Sequence, residues 1–137
     1  MIKTFKFTIL TCLCCLHTLA GQQLSSLDYT ELQEKFTNSK STDTSTARQY
    51  ASAYLQKAKK ANELSNIAEG YYMYSETLLA EKALPHLDSI INLTKSIQDF
   101  NYPAKAHLRK AQIYGGKSQF RKAMDCLLYT SPSPRDA

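Results

Sequence analysis

Ala104-Lys105-Ala106-His107-Leu108-Arg109-Lys110-Ala111-Gln112-Ile113-Tyr114, the short Gly115-Gly116-Lys117-Ser118, and Gln119-Phe120-Arg121-Lys122-Ala123-Met124-Asp125 together decide the fold. Both arms are rich in alanine, leucine, lysine, arginine and glutamine, the residues that lose least on entering a helix. The glycines between them predict a tight connection, so the stretch reads as an antiparallel helical hairpin. Pro103 stands at the head of the first arm, where a missing N–H costs little.

Working outward, the same arrangement recurs twice. Ala47, Ala83 and Ala123 open similar stretches, each preceded by another helical stretch and a turn. Their spacings of about 36 and about 40 residues fall within the range of two-helix repeats. The first hairpin pairs Leu27–Phe36 with Thr46–Ala61 across a polar linker from Thr37 to Ser45. The second pairs Asn66–Leu79 with Ala83–Ile97, with Pro85 expected in the first turn of the latter. The third pairs Pro103–Tyr114 with Gln119 onward. Ala47, Tyr50, Ala51, Tyr54, Leu55 and Ala58 recur at steps of three and four and form one apolar stripe. Leu84, Leu87, Ile90, Ile91 and Thr94 repeat it. A single hairpin cannot bury such a stripe, which is the physical reason for stacking several. No segment of the middle alternates as a strand does.

At this point the chain resembles the tetratricopeptide (TPR) family. That motif favours a small residue at its eighth position, a large apolar or aromatic one at the eleventh, and alanine at the twentieth. Ala104 to Asp125 supplies Ala111, Tyr114, Phe120 and Ala123 at the eighth, eleventh, seventeenth and twentieth positions. Lys110 and His107 depart from the pattern, standing where leucine and a large aromatic are usual. In the second hairpin Ser75 and Leu78 fit, although its turn is several residues short. The resemblance implies an all-α fold, with antiparallel hairpins stacked as a short right-handed solenoid whose last repeat is incomplete. It also implies a concave face lined by the first helix of each repeat. Register then nominates Glu69, Tyr72, Glu76 and Leu79 from one repeat, and Lys105, Leu108, Arg109 and Gln112 from the next. Such a groove would hold a protein or peptide partner.

A finer resemblance rests on Ala53-Tyr54-Leu55-Gln56-Lys57-Ala58, Ala68-Glu69-Gly70-Tyr71-Tyr72 and Asp88-Ser89-Ile90-Ile91-Asn92-Leu93-Thr94-Lys95. These words are similar to the exported sensor region of bacterial TPR/helix-turn-helix regulators of the AraC type. The likeness implies a periplasmic or envelope-associated array in a Gram-negative bacterium, followed by a transmembrane helix and a cytoplasmic effector. The alternatives are a freestanding secreted or lipid-tethered adaptor, or the sensor region of a histidine kinase.

Both ends stand apart from the repeats. Lys3 and Lys6, an apolar run from Phe7 to Leu16, and Thr18 and Ala20 before Gly21 have the three parts of a secretory signal peptide over residues 1–20. The run is half the length that a bilayer requires. Cys12, Cys14 and Cys15 lie within it, but the residues before them fit a lipoprotein signal poorly. Residues 21–26 read as a short linker, and 27–125 as the repeats. From Cys126 to Asp136 the chain resembles the conceptual translation of a sequencing-library transposase adapter, so residues 126–137 read as an artefactual, disordered tail on a truncated fragment. On that reading the last repeat is uncapped and prone to self-association. Removing Lys3 and Lys6, with Arg135 and Asp136 cancelling, takes the net charge from +5 to about +3, too weak for a nucleic-acid footprint.

The mature tract 21–125 holds no cysteine, and its two histidines, His86 and His107, lie on different helices with no acid one turn away. Neither a nucleophile, a metal cluster nor a cofactor site emerges, and the reading is non-enzymatic. Gly115-Gly116-Lys117-Ser118 lacks the upstream glycine and the preceding strand of a phosphate loop. The sequon Asn92-Leu93-Thr94 falls inside a helix. Lys57, Lys59 and Lys60 read as a solvated helix face. Tyr71, Tyr72 and Tyr74 offer both core area and polar tips suited to recognition.

Overall fold

A computed structural model describes residues 24–95 and 101–129. Among these the chain is all-helical, with a helical turn at 24–26 followed by six longer helices. They are α1 (Tyr29–Ser39), α2 (Thr44–Ala61), α3 (Leu64–Glu76), α4 (Ala80–Thr94), α5 (Asn101–Gly116) and α6 (Phe120–Leu128). The expected leader at 1–20 and the tail from Thr130 onward lie outside the described residues.

Local chemistry sets most of the boundaries. Asp28 accepts from the Glu31 N–H, and Glu31 accepts from the Asp28 N–H, both at 2.8 Å, a closed capping box that starts α1 at Tyr29 rather than Leu27. The same helix runs past Phe36 because the polar residues expected to form a linker turn their hydroxyls back onto it. Thr37 Oγ1 donates to the Gln33 carbonyl at 2.8 Å, and Ser39 Oγ to that of Lys35 at 2.7 Å. Asp43 caps α2 by accepting from the N–H groups of Ser45 and Thr46, each at 3.0 Å. Asn62 ends α2 in the left-handed region at φ 56°, its N–H turned to the Ala58 and Lys59 carbonyls.

Three expectations change here. Helix α4 starts at Ala80, so Pro85 sits in its interior and not in its first turn. The proline is exposed, and so is Glu81, the residue whose carbonyl it leaves without an N–H partner. Helix α5 absorbs Gly115 and Gly116, which were expected to form the connection, and Ser118 takes a left-handed conformation at φ 58° after them. Helix α6 continues through Cys126 to Leu128, where the sequence predicts a break. Cys126, Leu127 and Leu128 are compatible with a helix, and the Ser-Pro pairs that cannot be begin only at Ser131.

Each helix packs on its neighbours in the chain, and α3 also packs on α5. One core cluster joins Leu32 and Phe36 of α1 to Ala47, Ala51 and Tyr54 of α2 and Met73 of α3. A second joins Ala68 of α3 to Ala83, Leu87 and Ile90 of α4 and Ala106 and Ile113 of α5. Leu55, Ala58 and Ile67 close the seam between α2 and α3. Helix α3 thus contributes to every cluster, and neither of the first two hairpins has a core of its own. Gly70 permits the closest approach, because a Cβ there would lie 2.8 Å from the Cα of Leu55.

Candidate interaction face

The residues nominated from register recur at steps of three and four along their helices, and so share one side at 3.6 residues per turn. On α3 that side carries Glu69, Tyr72 and Glu76, and on α5 it carries Lys105, Arg109 and Gln112. Glu69 and Lys105 approach to 4.0 Å. The Lys105 ammonium also lies over the Tyr72 ring at 5.8 Å and the Tyr102 ring at 5.2 Å. Arg109 Nη1 donates to Gln112 Oε1 at 3.4 Å, while its Nε is buried with no hydrogen-bond partner.

Helix α1 extends this face, which the nomination did not foresee. Gln33 Nε2 donates to Glu69 Oε1 at 3.2 Å, and Lys40 Nζ reaches Glu76 Oε1 at the same distance. Gln33 and Glu69 are 36 residues apart, as are Lys40 and Glu76, and Lys117 and Glu81 form a third pair at that spacing. Glu69 and Lys105 repeat it again, so Gln33, Glu69 and Lys105 form a rung across three alternate helices, α1, α3 and α5. The signal is present in the sequence as the equal spacing of Gln33, Glu69 and Lys105, although register nominates only the last two.

Acid and base therefore meet within the face and neutralise each other, and such partly exposed pairs contribute about 0–1 kcal/mol each. Burial raises the Tyr72 hydroxyl above its usual pKa, with Glu76 adding to the shift and Arg109 opposing it. Tyr72 stays a neutral hydrogen-bonding group at any physiological pH. Leu79 and Leu108, at 77% and 51% exposure, leave apolar surface at the ends of the nominated set. The face offers a neutral tyrosine, an incompletely paired guanidinium and exposed leucine, which suits contact with a polypeptide.

The repeat-signature residues divide. Ala47, Ala83 and Ala111 are buried, Ala123 and Tyr114 are half-buried, and Phe120 is 68% exposed because no further helix among the described residues covers it. Tyr71 and Tyr74, the neighbours of Tyr72 in the sequence, point elsewhere. Tyr71 and Tyr74 flank His86 on the other side of α3, at 5.9 and 5.1 Å between ring centroids. His107 stacks on Tyr129 at 5.3 Å, so the two histidines lie apart. Among the described residues no cluster of three potential metal ligands occurs, and no helix is long and apolar enough to cross a membrane.

Compared with protein-family models, curated proteins and solved structures, the chain finds no match in any of the three.

Proposed function

We propose that this chain is a non-enzymatic protein-interaction module of the tetratricopeptide type, receiving a protein or peptide partner on the face of α1, α3 and α5. The rung Gln33–Glu69–Lys105 carries this reading, because equivalent positions of three alternate helices meet at a constant spacing. Stacked two-helix units present such a face as an extended surface, and their usual use is polypeptide binding. Glu69, Tyr72, Glu76, Lys105, Arg109 and Gln112 are the contact set, with Tyr72 and Arg109 as its anchors.

The leader-like residues 1–20 support action outside the cytoplasm, and the likeness to envelope regulators supports a sensor role. Sequencing the native gene across the codons for Asp125 to Ala137 separates the versions of this reading. A frame that runs on into a transmembrane stretch and a helix-turn-helix makes the chain a regulator's sensor. A stop codon after the Ser-Pro tail makes it a freestanding adaptor.

The binding claim is tested by selecting a displayed peptide library on the full chain and on Tyr72→Ala/Arg109→Ala. Peptides enriched by the wild type are expected to bind the double variant at least tenfold more weakly, at unchanged helical content. Recovery of the same peptides with the same affinities on both proteins would sink the proposal.

A further inference from the structure

The opposite side of the molecule carries a second surface of different character. At 100° per residue, Tyr71 and Tyr74 lie on the side of α3 away from Glu69, Tyr72 and Glu76. There the outward face of α2 forms the floor of two adjoining clefts, of about 770 and 420 Å3, which share Ser52, Gln56 and Tyr74. The larger runs from Leu24 along α2 to Lys60, and the smaller reaches His86 and Ser89 on α4.

Arg48, Lys57 and Lys60 line the larger cleft, and Lys59 lines the smaller. Neither contains an aspartate or glutamate. The four ion pairs among the described residues use Lys40, Lys105, Lys110 and Lys117, and none of the cleft cations. What holds these cations in place is neutral. Arg48 donates through Nε to Thr77 Oγ1 at 3.2 Å and through Nη2 to the Thr77 carbonyl. Lys57 Nζ donates to the Leu27 carbonyl at 2.6 Å and lies 5.4 Å from the Tyr29 ring centroid. Lys59 Nζ lies 4.7 Å from that of Tyr71. Glu63, which feels the Lys57 charge, accepts from Asn66 Nδ2 at 2.6 Å. Of the three lysines read as a solvated helix face, Lys59 and Lys60 are exposed and Lys57 is half-buried. Carbonyl and aromatic partners fix Lys57 and Lys59, and neither forms an ion pair, although Glu63 lies near enough to feel Lys57; the result is pre-organised positive potential.

We propose that this acid-free cleft along α2 binds an extended acidic peptide segment of a partner protein. Arg48 and Lys60 are separated by about 18 Å of helix, the length of about five or six extended residues. Serine and glutamine hydroxyl and amide groups on the floor supply donors to carboxylates between the cations. A single-stranded nucleic acid fits less well, because it needs open aromatic faces for stacking and Tyr71 and Tyr74 are turned onto His86.

The probe is a hexaglutamate peptide titrated into the isotope-labelled full chain and followed by amide and imidazole NMR shifts. Shifts are expected along α2 and at Ser89, with the His86 titration moving to higher pH as the bound acid offsets Lys59. Lys59→Gln/Lys60→Gln is expected to weaken binding roughly tenfold or more, whereas Lys35→Gln/Lys122→Gln, exposed lysines outside both the clefts and the opposite face, leaves it unchanged. The proposal is overturned if both double variants weaken binding equally, or if millimolar peptide shifts none of these residues. It is also overturned if a six-nucleotide oligothymidylate or anionic phosphatidylserine vesicles occupy the cleft at lower concentration than the peptide.

Discussion

Single residues decide how closely these helices can approach. Gly70 lies where α3 crosses Leu55, and an added methyl would meet backbone at 2.8 Å. Alanine at a helical glycine ordinarily gains up to about 1 kcal/mol, but overpacking against a fixed neighbour costs about 1–3 kcal/mol. Gly70→Ala is therefore expected to lower stability by about 1–2 kcal/mol in urea denaturation, and a stabilised variant would mean that the α2–α3 seam is looser than described. Titration also acts at this scale. Burial holds both His86 and His107 below the ordinary histidine value, aided by Lys59 at the first and by Lys110 at the second, with Asp88 opposing at His107. The unfolded chain then takes up protons where the folded chain does not, so stability is complete above about pH 6.5 and declines as pH falls toward the folded values. Asp43 and Glu81, held below their usual range by hydrogen bonds from Thr46 and Lys117, act only in more acid solution. His86→Gln combined with His107→Gln is expected to flatten the denaturation midpoint between pH 7.5 and 5.5, and an unchanged slope would assign it to other groups.

For whole elements, Pro85 is the sharpest discrepancy between the chain's pattern and its fold. The sequence predicts a helix from Ala83, which places the proline in a first turn, but the helix extends back to Ala80. Leu79 enters as the extended N-cap residue, and its carbonyl accepts from Lys82 and Ala83 at 2.9 and 3.1 Å, so backbone geometry and not side-chain pattern sets the start. An interior proline costs about 3 kcal/mol relative to alanine, of which about 1 kcal/mol is offset by its stiffening of the unfolded chain. Pro85→Ala is expected to stabilise the protein by about 1–3 kcal/mol, again by denaturant midpoint, and a loss would return the helix start to Ala83. The same contrast explains what the sequence makes legible. Six helices and their apolar stripes follow from periods of three and four, and Ala47, Ala83 and Ala111 are buried where that period places them. The ends were misjudged where hydroxyls bond back to the helix, as at Thr37 and Ser39, or where Ser118 takes a left-handed conformation. Register brought out Glu69 and Lys105 on a shared face, but not their pairing, nor Gln33 and Lys40 from α1. Polar partners across helices depend on side-chain reach, which no hydrophobic period encodes.

At the scale of the molecule, the described helices cover one another in sequence until α6. Phe120, Met124 and Leu128 fall one turn apart on that helix, at 68%, 60% and 66% exposure, while Cys126 turns inward. In the earlier hairpins the next helix takes this role, as α3 does for α2 and α5 does for α4. Burying one such side chain stabilises by about 1.5–3 kcal/mol, so three on each of two copies supply roughly 10 kcal/mol before losses. Losing the freedom of two molecules costs about 4–15 kcal/mol, which leaves a weak, concentration-dependent association. Pairing of α6 with α6 is favoured over α6 with α1, because the outward residues Glu31, Gln33, Glu34 and Asn38 of α1 are polar and exposed. Sedimentation velocity is expected to show reversible dimers growing in between micromolar and millimolar protein. Phe120→Glu/Leu128→Glu should return a monomer with the same helical content. A wild-type chain that stays monomeric across that range and melts cooperatively at high temperature would mean that the stripe drives no association, and the recognition faces would then be its only interaction surfaces.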